Sequence, residues 1–140
     1  MKLLRYFFEY ILIIILFFIF KLLGYRISSE FGCFLGKTFG PFFRSKKTIK
    51  DNLLKFDSSL TPEEISKISK EMWGNYGRIL SEYPYISNFR KGDLDKYITV
   101  ENLDKLEEIK KSQPVVFVSA HFSNFELMAM AIEKAGVNLS

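Results

Sequence analysis

The sequence predicts an α/β fold: an N-terminal membrane anchor helix, then surface helices, then the first part of a mixed or parallel sheet flanked by helices. Three observations predict it. Residues 6–23 are almost wholly apolar, apolar residues recur at helical spacing after Thr61, and β-prone and helical segments alternate from Tyr97 onward. We therefore expect residues 1–24 to form the anchor and residues 25–140 to form the incomplete N-terminal part of a second domain.

The apolar run at residues 6–23 predicts a helix that spans or deeply enters a membrane. Its 18 residues would extend about 27 Å as a helix, close to a hydrocarbon core of about 30 Å. Glu9 and Lys21 lie near its ends, where their charges can reach the head groups. A cleaved signal peptide is the alternative, since Lys2 and Arg5 precede the run, but no small-x-small cleavage motif follows. An uncleaved anchor is therefore favoured.

Positive charge is concentrated in the first part of the chain. Residues 1–60 hold 10 Lys/Arg against 4 Asp/Glu, a net +6, and residues 61–140 hold 10 against 12, a net −2. The densest basic run, which suits an anionic membrane surface, contains Arg44, Lys46, Lys47 and Lys50. A solvated basic loop is the alternative interpretation. Nucleic acid is not an expected partner, because the chain has no nucleic-acid motif and its remainder is mildly acidic.

The distribution of Lys/Arg around the apolar run predicts its orientation. More basic residues follow the run than precede it, so the later residues should face the cytoplasm. The single cysteine, Cys33, excludes an internal disulfide and suits a reducing compartment. It has no neighbouring Cys or His at zinc or iron–sulfur spacing, so we expect no metal site.

Two stretches after the anchor predict helices. Glycines at positions 24, 32, 36 and 40 punctuate an apolar stretch, which suggests short amphipathic helices at the membrane surface that end near Pro41. A longer helix should open at Thr61, with Pro62 at the first helical position and Glu64 completing a capping box. Its predicted buried face consists of Ile65, Ile68, Met72, Tyr76, Ile79, Leu80 and Tyr83.

The last third of the chain predicts β-α-β-α order. Residues 97–100 form a β-prone run, residues 102–111 a charged helix, residues 115–118 a continuous apolar strand, and residues 124–135 a second helix. This order implies a parallel sheet. Two strands alone do not make a stable parallel sheet, so we expect the chain to be a truncated portion of a larger fold.

The candidate site follows the predicted apolar strand. His121, the only histidine, comes directly after that strand, where parallel sheets place active sites. Glu126 follows five positions later and could orient the imidazole and stabilise its protonated form, which leaves the other ring nitrogen as a general base. The alternative is structural, because Ser123 and Glu126 also form an S-x-x-E capping box. Backbone N–H groups at this helix start could instead hold an anion or an oxyanion.

These residues resemble a known family. Residues 115–126, with His-x4-Glu followed by Leu127, resemble the lysophospholipid acyltransferase superfamily, specifically the late acyltransferases of lipid A biosynthesis that use acyl-acyl carrier protein. The upstream order is similar too: a hydrophobic anchor, a basic segment leading to Asn52, a long helix ending near Glu82, and a β-α-β entry to the histidine. The resemblance thus covers nearly the whole chain.

Some positions depart from the family pattern. The family often carries Gly-Asn-Trp-Glu where this chain has Ser123, Asn124, Phe125 and Glu126. The glycerolipid branch usually has Asn before the histidine and Asp as the acid, whereas this chain has Ala120 and Glu126, so the lipid A type is the better match. Similar acyltransferases of phosphatidylinositol mannosides share the Glu version, which leaves the acceptor open.

The resemblance implies an acyltransferase at the inner (cytoplasmic) membrane that acts in lipopolysaccharide biosynthesis. Its catalytic residues would be His121 and Glu126, with Asn124 and Ser123 contacting substrate. Acyl carrier protein and a membrane lipid acceptor would be its partners, and no cofactor would be needed. The domain at residues 25–140 would then be the N-terminal part of an acyltransferase domain. The alternatives are another glycolipid or glycerophospholipid acceptor, or a non-catalytic membrane-anchored fragment.

Overall fold

The structure, a computed structural model, describes residues 2–109, 115–120 and 122–137, and it divides into two compact units, Met1–Pro84 and Tyr85–Ser140. Within the described residues the protein is helical and contains no strand, so the predicted α/β class is wrong. The α-helices are α1 (Lys2–Leu23), α2 (Tyr25–Phe39), α3 (Lys46–Phe56), α4 (Pro62–Glu82), α5 (Ile86–Lys91), α6 (Leu103–Ile109) and α7 (Glu126–Lys134). The predicted division at residue 24 stays a prediction.

Neither predicted strand forms. A 3-10 turn at Asp95–Tyr97 occupies the start of the first β-prone run, and Ile98 after it is extended without a ladder. In the second run Val116 and Val118 are 86% and 91% exposed, although the sequence predicted burial on both faces. A strand exists only through hydrogen bonds to a neighbouring strand, so β-prone residues remain irregular where no such neighbour is present among the described residues.

The helix predicted for the anchor is present as α1. It is long and apolar enough to cross a membrane, and most of its side chains face away from the rest of the protein. Phe20 is the exception, because it is buried where its ring meets Phe31 of α2 edge-on, with 6.3 Å between the ring centroids. Gly24, with φ of 75°, separates α1 from α2, and the Ser28 hydroxyl then donates to the Phe20 carbonyl.

Glycines hold α2 and α4 in backbone contact. A methyl group added at Gly32 would overlap the Gly77 carbonyl, one at Gly36 would overlap the Trp73 carbonyl, and one at Gly77 would overlap the Gly32 carbonyl. Gly32 and Gly36 therefore lie inside one continuous helix, whereas the sequence predicted that they punctuate shorter ones. The predicted end near Pro41 is confirmed, since α2 ends at Phe39 and a 3-10 turn follows at Gly40–Phe42.

Polar contacts flank the contact between α2 and α4. The Arg78 guanidinium donates to the Glu30 carboxylate at 2.6 Å, and Lys37 Nζ donates to Glu71 Oε1 at 2.7 Å. These hydrogen bonds hold the pKa of both carboxyl groups below their usual value. Each pair joins α2 to α4 across more than 30 residues of sequence, so together they fix the rotation of one helix against the other.

The start of α4 matches its prediction. The Glu64 amide N–H donates to Thr61 Oγ1 at 3.2 Å, and the Thr61 amide N–H donates to Glu64 Oε2 at 2.8 Å. The predicted apolar face is only partly correct. Ile65 is buried, but Tyr76 and Leu80 are exposed, because α4 packs on α2 through its glycines instead.

The second unit is built around α5 and α7. Phe89 of α5 is fully buried, and Met130 and Ile132 of α7 are buried as well. Lys134 Nζ donates to Asp95 at 2.6 Å and so ties the end of α7 to the 3-10 turn. The helices predicted at residues 102–111 and 124–135 are confirmed as the shorter α6 and α7. The end of the helix predicted at residues 102–111 lies outside the described residues.

Candidate active site

The predicted catalytic segment leads directly into α7. Residues 115–120 are irregular and largely exposed, and Phe122 after them is exposed too. The Phe122 amide N–H donates to the Ala120 carbonyl at 2.9 Å. His121 lies outside the described residues, so its role as a base and its pairing with Glu126 stay predictions.

Ser123 has a left-handed backbone. Its φ is 47°, and its carbonyl accepts a hydrogen bond from the Phe125 amide at 3.1 Å. Its side chain is exposed. This conformation is one that glycine adopts without steric cost, so the chain turns tightly at a position where the resembled family often has glycine.

Glu126 is the first residue of α7. The residue at the N-cap position is Phe125, so Glu126 is not at the third helical position that a capping box requires. The predicted box with Ser123 is therefore wrong in register. The side chain of Glu126 is exposed at the N-terminal end of α7. A carboxylate placed there is accessible to a neighbouring base.

Asn124 differs from its neighbours because it is half-buried. Its amide oxygen is shielded from solvent, and its backbone carbonyl accepts a hydrogen bond from the Leu127 amide at 3.2 Å. The Phe125 carbonyl likewise accepts from Met128 at 3.1 Å. These contacts fix the entry to α7. Ser123 and Glu126 face the solvent on this turn, and the Asn124 amide oxygen points into the protein.

A cavity of about 520 Å³ lies beside α7 within the second unit. Its wall is mostly apolar, with the Lys134–Asp95 ion pair at one side, and it is lined by Phe89, Asp95, Ile98, Val100, Asp104, Leu127, Met130, Ala131, Lys134 and Ala135. Sequence reasoning missed it, because its wall comes from three separate segments. The one available signal was the helical spacing of Leu127, Met130 and Lys134.

The basic run lies at the start of α3 in the first unit. Arg44 precedes the helix, and Lys46, Lys47 and Lys50 belong to it. Lys47 Nζ donates to Asp51 at 2.6 Å, and this hydrogen bond lowers the pKa of the Asp51 carboxyl group. Lys47 thus has an acidic partner within its own helix, and contact of the run with an anionic membrane surface stays a prediction.

Metal ligation finds no support in the residues with described coordinates. They contain no group of three or more His, Cys, Asp or Glu side chains placed to hold an ion. Cys33 is a buried free thiol on α2.

Comparison with known proteins identifies the family. No curated protein and no solved structure matches the chain significantly. A sequence profile described as bacterial lipid A biosynthesis acyltransferase matches residues 1–139, from the apolar N-terminal helix through the segment around Glu126. Because the match covers almost the entire sequence, this chain belongs to the bacterial lipid A biosynthesis acyltransferase family.

Proposed function

We propose that this acyltransferase moves a fatty acyl group from an acyl-acyl carrier protein thioester to a hydroxyl of a lipid A precursor. The family match over residues 1–139 carries the proposal, because it includes both the apolar N-terminal helix and the His-x4-Glu segment. The reaction needs a base, an acceptor hydroxyl and a thioester, and all three are available without a cofactor.

In the proposed mechanism His121 removes the proton from the acceptor hydroxyl. The resulting alkoxide oxygen attacks the thioester carbonyl and forms a tetrahedral intermediate. Its collapse breaks the carbon–sulfur bond, and the carrier thiolate takes the proton back from the imidazolium. The products are an ester and a free carrier thiol.

Glu126 would orient His121 and offset the charge of its imidazolium. The exposure of Glu126 at the first position of α7 supports this role, because its carboxylate is open to a partner on the preceding segment. Ser123, Asn124 and nearby backbone N–H groups would contact the oxyanion or a phosphate of the acceptor. The left-handed backbone of Ser123 supports this assignment, since turns with positive φ are common where backbone N–H groups bind anions.

We further propose that α1 anchors the enzyme in the inner (cytoplasmic) membrane, with the later residues on the cytoplasmic side. The length and apolar character of α1 support this placement, as does the excess of Lys/Arg after it. Contact between an anionic membrane surface and the run Arg44, Lys46, Lys47 and Lys50 would hold the surface helices against the lipid.

Two substitutions test the proposed chemistry. Acyl transfer by the purified chain should be measured with acyl-acyl carrier protein and a lipid A precursor. Removing a general base typically lowers the rate about 10²- to 10⁴-fold. We therefore expect the acyl-transfer rate of the His121→Ala variant to fall by that factor. Glu126→Gln keeps the shape of the side chain but removes its charge. The acyl-transfer rate of this variant should fall by at least about tenfold.

The matched control is Glu133→Gln, an exposed glutamate on the same helix that pairs with Arg90. It should retain activity near wild type. Near-wild-type transfer by His121→Ala would reject the base assignment. Equal losses from Glu126→Gln and Glu133→Gln would reject the specific role of Glu126 and leave only a general effect of charge on α7.

A further inference from the structure

We propose that the groove between α2, α3 and α4 is a binding site for the phosphate of an anionic membrane lipid. The groove encloses about 380 Å³ and lies entirely within the first unit. Three helices contribute lysines to it, and its lining is Lys37, Pro41, Lys46, Ile49, Lys50, Pro62, Ile65, Ser66, Ser69, Lys70 and Trp73. Helix packing, rather than sequence proximity, therefore brings four cations to one cleft.

The side chains that line the groove carry positive charge only, and Asp51 and Glu71 outside the lining interact electrostatically with Lys50 and Lys70. Of the described residues that line it, four are lysines and none carries a carboxylate. Lys37 has Glu71 as a partner at 2.7 Å, whereas Lys46, Lys50 and Lys70 form no ion pair within the described part of the chain. Lys46, Lys50 and Lys70 are exposed, so their ammonium groups are open to an anion, and a phosphate between them would accept charge-assisted hydrogen bonds.

Apolar and hydroxyl-bearing residues make up the rest of the groove. Ile49 and Ile65 are buried and form an apolar floor that holds α3 against α4. Ser66 and Ser69 add hydroxyl groups that can donate to phosphate oxygens. The combination of cations, hydroxyls and an apolar floor suits an anionic head group attached to an apolar body.

Neighbouring residues favour a membrane lipid over a soluble anion. Pro41 lines the groove, and the next two residues, Phe42 and Phe43, are 84% and 81% exposed. The same unit contains α1, which is long enough to cross a membrane. Exposed aromatic rings next to basic residues are typical of segments at the head-group level. The groove is therefore placed next to residues that would lie at the level of the lipid head groups.

The site differs from the basic run and from the acyl-transfer proposal. Lys47 is in the run but does not line the groove, and it pairs with Asp51, whereas Lys37 and Lys70 line the groove and lie outside the run. The inference does not rest on acyl transfer, because none of the predicted catalytic residues belongs to this unit. Lipid binding and catalysis can consequently fail independently.

The chain supplies its own probe. Trp73, its sole tryptophan, lines the groove, so its fluorescence should report an occupant. The full chain in a nonionic detergent should be titrated with dihexanoyl phosphatidic acid, dihexanoyl phosphatidylcholine and inorganic phosphate. We expect a saturable change with phosphatidic acid, none with phosphatidylcholine, and binding of inorganic phosphate at least about tenfold weaker. Inorganic phosphate binding as tightly as the lipid would overturn the lipid assignment.

Two double variants separate a site from diffuse charge. Lys46→Gln with Lys50→Gln removes two groove cations and should weaken phosphatidic acid binding at least about tenfold. Lys47→Gln with Lys55→Gln removes the same charge from the same helix outside the groove, and it should bind as wild type does. Circular dichroism checks that both remain folded.

Several outcomes would reject the proposal. Equal weakening in both double variants would mean that charge acts diffusely over α3. No saturation in the wild-type chain would mean that the groove takes no lipid. If acyl carrier protein shifted the tryptophan emission and phosphatidic acid did not, the groove would be a protein docking surface instead.

Discussion

At the scale of single residues, Ser123 pays a steric penalty for its place in the turn before α7. Its φ of 47° lies in the left-handed region, which costs most non-glycine residues roughly 1–2 kcal/mol. The penalty is tolerated because the surrounding backbone hydrogen bonds hold the turn. Ser123 is therefore a position where glycine should make the protein more stable.

We predict that Ser123→Gly is more stable than Ser123→Ala by about 1 kcal/mol, because only glycine removes the steric cost at positive φ. Both variants lose the same hydroxyl, so the alanine variant is the matched control. Thermal unfolding followed by circular dichroism in detergent measures the difference. Equal melting temperatures for the two variants would show that the backbone at position 123 is not strained.

Two similar motifs show what can be predicted at this scale. The capping box at Thr61 was predicted correctly, since Pro62 can only start a helix there and so fixes the register. The same motif at Ser123 was placed wrongly, because α7 begins at Glu126. No proline or other local sequence signal fixes the start of α7. Burial of Met130 and Ile132 holds α7 in place, and burial cannot be deduced from four residues.

At the scale of elements, the contact between α2 and α4 depends on residues without side chains. The sequence predicted glycines as helix ends, which is correct at Gly24 and Gly40 and wrong at Gly32 and Gly36. A glycine can end a helix or let two helices approach closely, and both roles depend on the absence of Cβ. Only the presence of a partner helix shows which role a given glycine has. Gly77, the partner glycine, lies more than 40 positions away in the sequence, so local pattern carries no sign of the pairing.

We predict opposite outcomes for two alanine substitutions in α4. Gly77→Ala places a methyl group against the Gly32 backbone, which cannot move aside, and it should destabilise the protein by roughly 1–3 kcal/mol. Gly74→Ala meets side-chain rather than backbone atoms, Lys37 Cε at 2.6 Å and Cys33 Sγ at 3.0 Å, which can shift, so it should stay within about 1 kcal/mol of wild type. Both changes have the same helix propensity effect, and urea unfolding compares them. A larger loss at position 74 would contradict the packing described for α2 and α4.

The two β-prone segments failed as predictions for a related reason. Helices such as α4 are specified by neighbours three and four residues away, and these were found from the sequence. A strand needs a partner that is distant in sequence, so propensity at residues 115–118 cannot decide the outcome alone. Val116 and Val118 are exposed because no described residues pack against them.

At the scale of the whole molecule, the chain combines two kinds of sequence information. Family membership was predicted from the His-x4-Glu pattern and the order of the segments before it, and it is confirmed by the match over residues 1–139. The fold class derived from the same segments was wrong. The order of segments along the chain indicates the family. The way the segments pack in three dimensions depends on contacts between distant residues, and the order does not specify these contacts.

We predict that α1 holds the molecule in the membrane. Ile14→Arg places a charge near the middle of α1, where insertion costs about 2.5–3.5 kcal/mol more, so a larger fraction should be extracted from membranes by alkaline carbonate. Ile14→Leu is the control and should stay in the pellet. If the arginine variant resisted extraction as well as the control, α1 would not be the anchor.

The closeness of α2 and α4 also makes position 74 suitable for a covalent tether. A Cβ atom at Gly74 would lie 3.0 Å from Cys33 Sγ, close to the separation found across a disulfide. Cys33 already supplies one buried thiol, so a single substitution would provide the second. Oxidation would then join the two helices, and reduction would release them. A single added cysteine would thus give a reversible disulfide between α2 and α4. This disulfide would test whether the two helices must move relative to each other.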